Sequence, residues 1–173
     1  MSERTYTILL VHNRYQIPGG EDTVFENEAR LLESHGHTVI RYERNNAEIP
    51  AMHGAAKLMV PLDTIYSEKT VREIRALIRR HHADLVHVHN TLLLISPSVY
   101  DAAQREHVPV IQTIHNFRMI CPNGLCYRDG KICEDCVSKG LFQAVKQLTT
   151  GHLIVFQREE IQLHLPEHRH RFP

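Results

Sequence analysis

Three strand-length apolar runs of this chain end on the same dipeptide. Thr7-Ile-Leu-Leu-Val leads into His12-Asn13, Asp84-Leu-Val-His-Val into His89-Asn90, and Val108-Pro-Val-Ile-Gln-Thr-Ile into His115-Asn116. Runs with so little polar alternation belong to strands covered on both faces, which is the situation of a parallel sheet between layers of helices. Ligands of such sheets bind outside the carboxyl ends of the strands. Placing an imidazole and an amide at several of those ends therefore constrains both the fold and the place where chemistry would occur.

Helical segments alternate with these runs. After Thr7–Val11, Asp22 offers an N-cap, and Val24, Phe25, Ala29, Leu31 and Leu32 mark one helical face. Gly36 stands where a helix would end, and Thr38–Tyr42 is the next strand. A strand–helix–strand unit of this length predicts parallel pairing. Asn45-Asn46 signals a turn, while Ile49-Pro50 and Val60-Pro61 interrupt regular structure, with short helix expected between them. Val71, Ile74, Leu77 and Ile78 then form a helical stripe, with Arg72, Arg75, Arg79 and Arg80 on the wet side. Leu85–His89 is a strand, Ser96-Pro97 starts a helix with a small-residue inner face at Val99, Ala102 and Ala103, and Val110–Ile114 is a further strand. This alternation predicts an α/β fold: a Rossmann-like, doubly wound parallel sheet.

Composition narrows the function classes. The chain has 173 residues, with 20 basic and 20 acidic side chains. Such a balance gives no electrostatic basis for binding nucleic acid or an anionic membrane. No apolar run is long enough to span a bilayer and no signal-peptide core is present, so a cytoplasmic protein is expected, with peripheral attachment at the inner membrane face left open. The 14 histidines are read mostly as surface residues. The character changes after Lys139: Thr149-Thr150-Gly151 breaks the chain, and Glu167–Pro173 is rich in His and Arg. Residues 1–140 are therefore read as one domain and 141–173 as a divergent, irregular C-terminal tail.

Each candidate site has a plain structural reading beside the functional one. Gly19, Gly20 and Glu21 lie between the first strand and its helix, where backbone and helix N-terminus could approach a phosphate. The pattern is neither a dinucleotide fingerprint nor a P-loop, and an ordinary tight turn explains it equally. His87 and His89 share one strand face, as a metal pair would, but barrel hydrolases that use such a pair need roughly 250 residues. His87 is read as packed beneath a helix, and His89 with Asn90, at the strand end, as functional. His115 and Asn116 either contact a ligand or cap a turn. Cys121, Cys126, Cys133 and Cys136 are spaced C-x4-C-x6-C-x2-C around turn residues. They would hold a structural zinc in a Cys-rich loop, or remain reduced and unliganded.

Taken together, Ile8-Leu-Leu-Val-His-Asn-Arg-Tyr, Pro18-Gly-Gly-Glu-Asp, Val86-His-Val-His-Asn, Ile95-Ser-Pro-Ser-Val, Gln112-Thr-Ile-His-Asn-Phe-Arg and Cys121-Pro-Asn-Gly resemble the N-terminal half of the family-four glycosyltransferases. The resemblance covers about residues 6–140 and implies a single half of a GT-B fold, in which two Rossmann-like domains face each other across a cleft. It implies transfer of a sugar from a nucleotide-sugar donor to a glycan or lipid-linked acceptor, usually with retention at the anomeric carbon and with no cofactor required for catalysis. The N-terminal domain would hold the acceptor. Gly19, Gly20 and Glu21 would approach the donor phosphates, His115 would act at the reacting centre, and His89, Asn90 and Asn116 would bind substrate. The resemblance also places a cysteine after Lys139 that this chain lacks, so Cys126 takes its place or the zinc site is incomplete.

The donor-binding half of such an enzyme lies beyond the matching segments. The chain is accordingly expected to be inactive alone, a truncated or frame-shifted product or one half of a split transferase with a separate donor-domain partner. Two other classes stay open: a non-enzymatic binding module, and a small metal-dependent hydrolase using His87, His89 and His115.

Overall fold

A computed structural model describes residues 4–140 and 142–143. The described residues fall into two compact units divided between His115 and Asn116. The expected tail, 141–173, lies outside the described residues apart from Phe142 and Gln143.

The first unit is built on a four-stranded parallel sheet of order β2-β1-β3-β4, comprising β1 (Thr7–Arg14), β2 (Thr38–Asn45), β3 (Leu85–Val88) and β4 (Val110–Gln112). Between them run α1 (Gly20–Ser34), a 3-10 turn (Asn46–Ala51), α2 (Ala55–Ile65), α3 (Glu68–His81) and α4 (Ser98–Arg105). Residues of β1 alternate between the faces of the sheet. Leu9 and Val11 join Val71, Ile74 and Ile78 of α3 and Val99, Ala102 and Ala103 of α4 in one core. Leu10 meets Phe25 and Ala29 of α1 in the other. Helices thus cover both faces, which is the doubly wound arrangement predicted from the apolar runs. In register, Leu10 stands beside His87 and Val11 beside Val88, so His12, His87 and His89 share the α1 face.

Several details depart from expectation. The first helix begins at Gly20, with Gly19 as its N-cap, and Asp22 sits one turn in, where its carboxylate accepts the Gly19 N–H at 2.7 Å. The buried stripe is Asp22, Phe25 and Ala29; Val24 and Leu31 are 42% and 57% exposed. Pro50 and Pro61 lie inside helical segments rather than ending them. Asn45 caps the 3-10 turn by accepting the Ala47 N–H, while Glu48 accepts the Asn45 N–H, both at 2.8 Å. Ser96 has a positive φ of 66°, and its hydroxyl takes the N–H of Ser98 at 3.3 Å, so the fourth helix starts one residue after the expected proline. The β4 strand stops at Gln112 rather than Ile114, and it has a hydrogen-bonded neighbour only in β3.

The second unit holds a two-stranded antiparallel ribbon, β5 (Tyr127–Arg128) and β6 (Lys131–Ile132), followed by α5 (Asp135–Lys139). The ribbon turns at Asp129-Gly130, where both residues have positive φ. No described helix is long and apolar enough to cross a membrane.

Glu106 ties α3 to the end of α4. It accepts from Arg75 at 2.6 Å and from Arg79 at 2.7 and 2.8 Å, and these guanidinium bonds pull its pKa down to about 2. A carboxyl depressed in this way adds stability above its unfolded pKa, near 4.3, and loses it as pH falls through the folded value. Glu106→Gln is expected to lower the melting temperature at pH 7. The difference from the parent should shrink between about pH 4 and pH 2. A gap unchanged across that window in calorimetry would refute the assignment.

Candidate functional site

The strand order reverses direction between β1 and β3: β2 lies on one side of β1, and β3 and β4 follow on the other. Adjacent loops leave in opposite directions there, opening the crevice in which open parallel sheets bind ligands. His12 and Asn13 close β1 at this point, and His89 and Asn90 follow β3 directly.

Amides hold the strand ends in place. The Asn13 main chain donates to the Asn90 carbonyl at 2.8 Å, and the Asn90 side chain donates to the Asn13 carbonyl at 2.7 Å. The buried Asn13 amide donates to the Asn46 side chain at 2.9 Å and to the Leu92 carbonyl, and accepts the Leu94 N–H at 3.1 Å. Asn90 also accepts the Leu92 N–H at 3.2 Å. Asn90 thus bonds to protein backbone, and what it gives the crevice is the position of the loop that follows β3.

The imidazoles form a connected row on the α1 face. His89 is 3% exposed and stacks on His115 with ring centroids 5.1 Å apart, and its Nδ1 lies 3.0 Å from His115 Nε2. It lies 4.8 Å from the His87 ring and 6.1 Å from the His12 ring, with Phe25 edge-on at 5.4 Å. Burial, reinforced by His87, His115 and His12, pushes the His89 pKa down to about 3, so the ring is neutral near pH 7. Burial likewise lowers His12 and His87. In that bond one ring nitrogen donates and the other accepts, so the tautomer of His89 fixes the role of the His115 Nε2.

Carboxylates from α1 face this row. Asp22 accepts from His12 Nε2 at 2.9 Å. Its own burial works against the charge, but the Gly19 N–H and His12 outweigh it and hold its pKa below the usual range. Arg14 bonds Glu26 and, at 2.6 Å, Glu43. Glu28 presents Oε1 to His87 Nδ1 at 3.5 Å and Oε2 to His89 Nε2 at 3.3 Å, while His87 Nε2 lies 2.8 Å from the Thr113 hydroxyl.

The remaining expected residues are placed as follows. Gly19 and Gly20 are exposed at the start of α1, neither with positive φ, and a Cβ on either would meet nothing within 4 Å. The backbone there is open to a ligand, and local geometry does not itself demand glycine. Glu21 is half-buried in the first turn of α1. His115 is half-buried three residues beyond the end of β4. Asn116 opens the second unit and accepts the Arg118 N–H at 2.9 Å, an Asx-type turn.

In the second unit, Cys121 donates to Asn123 at 2.9 Å, and the Cys133 N–H bonds the Cys126 carbonyl at 2.8 Å. Among the described residues, one group of three or more metal-ligating side chains has its ligand atoms within 4.8 Å of one another. It consists of Glu28, His87 and His89, not the four cysteines expected to hold zinc. His87 is packed beneath α1 with a hydroxyl partner, as expected. The contributions of Asp22, Glu28, Asn46 and Thr113 were not anticipated. The signal for Glu28 was its place next to Ala29 on the buried stripe of α1.

Removing the Asn13 amide takes the partner of the Leu94 N–H and one bond each from the Asn46 side chain and the Leu92 carbonyl, all at the strand ends. Asn13→Ala should therefore destabilise the first unit by about 3 kcal/mol in urea unfolding. A loss under about 1 kcal/mol would mean that the amides do not hold the strand ends.

No curated protein and no solved structure matches this chain. Residues 18–130, more than half of the chain, match the family described as Glycosyltransferase Family 4. That span takes in Gly19, Gly20, Glu21, His89, Asn90, His115 and Asn116. Together with the parallel Rossmann-like sheet and its switch-point crevice, it establishes that the chain belongs to Glycosyltransferase Family 4.

Proposed function

We propose that this chain is the acceptor-side half of a glycosyltransferase that moves a sugar from a nucleotide-sugar donor to a glycan or lipid-linked acceptor. The observation that carries the reading is the buried, neutral His89 bonded to His115 at the switch point of a family-four sheet. Glycosyl transfer joins an acceptor oxygen to the anomeric carbon and breaks the bond from that carbon to the diphosphate. The acceptor hydroxyl must be held in line, and its proton must leave. A neutral imidazole suits this, because it offers a donor and an acceptor near neutral pH.

In this reading His115 contacts the reacting groups, and His89 sets its tautomer and orientation. Gly19, Gly20 and Glu21 face the donor diphosphate, where the open backbone and the N-terminus of α1 favour negative charge. Asn116 supports the acceptor. No metal is required at the diphosphate, and any zinc on Cys121, Cys126, Cys133 and Cys136 would be structural.

The donor is held by a second Rossmann-like domain, because transfer needs both reactants in one frame. The acceptor-side domain assayed by itself should show no steady sugar transfer. In imidazole-resolved NMR, titration with oligosaccharide acceptors should shift the His115 signals, while nucleotides alone leave them in place. His115→Ala should weaken acceptor binding about tenfold with an unchanged far-UV spectrum, equivalent to about 1.4 kcal/mol. Tight nucleotide binding without any acceptor response, or turnover by the chain alone, would refute the reading.

One observation favours a split form of the enzyme. Ile111, on β4, which has no second neighbour among the described strands, is 51% exposed, and Ile114 just beyond it is 68% exposed, a surface suited to a partner. Adding a donor-domain protein should then restore transfer. Loss of that rescue in Ile111→Lys would identify the edge as the docking point, and unchanged rescue would exclude it.

A further inference from the structure

We infer that Glu28, His87 and His89 form a binding site for one divalent transition-metal ion of the zinc class, a site separate from the cysteine loop that shares His89 with the sugar-transfer reading but is argued from its own geometry. The three side chains come from two elements that face each other: Glu28 from α1, and His87 and His89 from β3 and its end. Their ligand atoms all lie within 4.8 Å of one another.

The hydrogen-bond pattern around the two rings points inward. His87 has Thr113 at its Nε2, at 2.8 Å, and His89 has His115 at its Nδ1, at 3.0 Å. Metal-bound histidines are typically held this way, the far nitrogen donating to an outer partner so that the near nitrogen keeps its lone pair. The near nitrogens, His87 Nδ1 and His89 Nε2, each face one oxygen of the Glu28 carboxylate. If the outer nitrogens donate, lone pairs meet an anion across a buried gap, and a cation between them resolves the repulsion. His89 Nε2 is fully buried and makes no hydrogen bond.

The spacing agrees. Gaps of 3.5 and 3.3 Å are long for hydrogen bonds from a ring N–H to a carboxylate. Each matches one ligand-to-ligand edge of a coordination tetrahedron, about 3.3–3.5 Å for metal–ligand bonds near 2.1 Å, although they run to different oxygens of Glu28, so the carboxylate would turn to share one oxygen or bind through both. Two imidazoles and a carboxylate are a ligand set of zinc and cobalt(II), with the remaining coordination left to water or to the second carboxylate oxygen. A metal here would pin α1 to β3. It would also commit His89 Nδ1–H to His115, leaving His115 protonated on Nδ1.

The test uses the full chain, stripped by chelator and titrated with Co2+. The expected result is a bound equivalent with the visible bands of nitrogen and oxygen ligation and no thiolate-to-cobalt charge-transfer band. That equivalent should be lost in Glu28→Gln and weakened about tenfold in Thr113→Val, which removes an outer partner. Glu28 is half-exposed on α1, so Glu28→Gln should fold, as circular dichroism can verify; Zn2+ should raise the melting temperature of the parent and not of the variant. Binding that shows only the thiolate band, survives Glu28→Gln and disappears in Cys133→Ser would overturn the inference. So would the absence of Co2+ binding by the folded parent.

Discussion

The Asn13 side chain joins three strand ends that would otherwise diverge. Its amide reaches Asn46 after β2 and Leu92 and Leu94 after β3, while its own backbone is paired with Asn90. Parallel strands end with their last carbonyl and amide groups short of partners, and at a switch point the chain also leaves in opposite directions. Water could satisfy those groups only by entering the sheet. Amide side chains satisfy them from within the protein. An aliphatic residue at position 13 could fill the volume but would make none of these bonds, leaving the Leu94 N–H without the partner it has here.

Burial explains the charge state of the histidines at these strand ends. An imidazole beneath a helix and beside other imidazoles loses the solvation that a positive charge needs, so His12, His87 and His89 are all driven toward the neutral form. A neutral ring is directional, with one donor and one acceptor, and the bond from His89 to His115 couples the roles of the two nitrogens that meet in it.

The strands and helices were legible because burial on two faces leaves an unmistakable mark. Leu9 to Val11 and Val86 to Val88 have no polar outer face, and Val71, Ile74 and Ile78 repeat at helical spacing. Boundaries were less legible, since caps are local bargains between groups that the pattern does not show. Asp22 looks like an N-cap and instead reaches back to Gly19 from within the helix. Pro61 looks like a stop, yet the favourable helix formers Ala56, Lys57, Leu58 and Met59 carry the segment through it. Histidine was the least legible residue. Its spacing on β3 showed that His87 and His89 share a face, but nothing in the sequence showed that Glu28, some 60 positions away, would stand over both.

The helix α1 gives the crevice its remaining order. Its acidic residues address the strand ends separately: Asp22 holds His12, Glu26 holds Arg14, and Glu28 faces His87 and His89. They are spread over fewer than two turns, so they move as one body. The same helix begins at Gly20 after its N-cap Gly19, where a Cβ on either glycine would meet nothing within 4 Å. On the proposed function, a ligand group at that N-terminus and one on His115 would be referred to a common rigid element. The distance between them is set by the fixed stem of α1 and by the contact of Glu28 with β3, not by the loop that joins β1 to the helix.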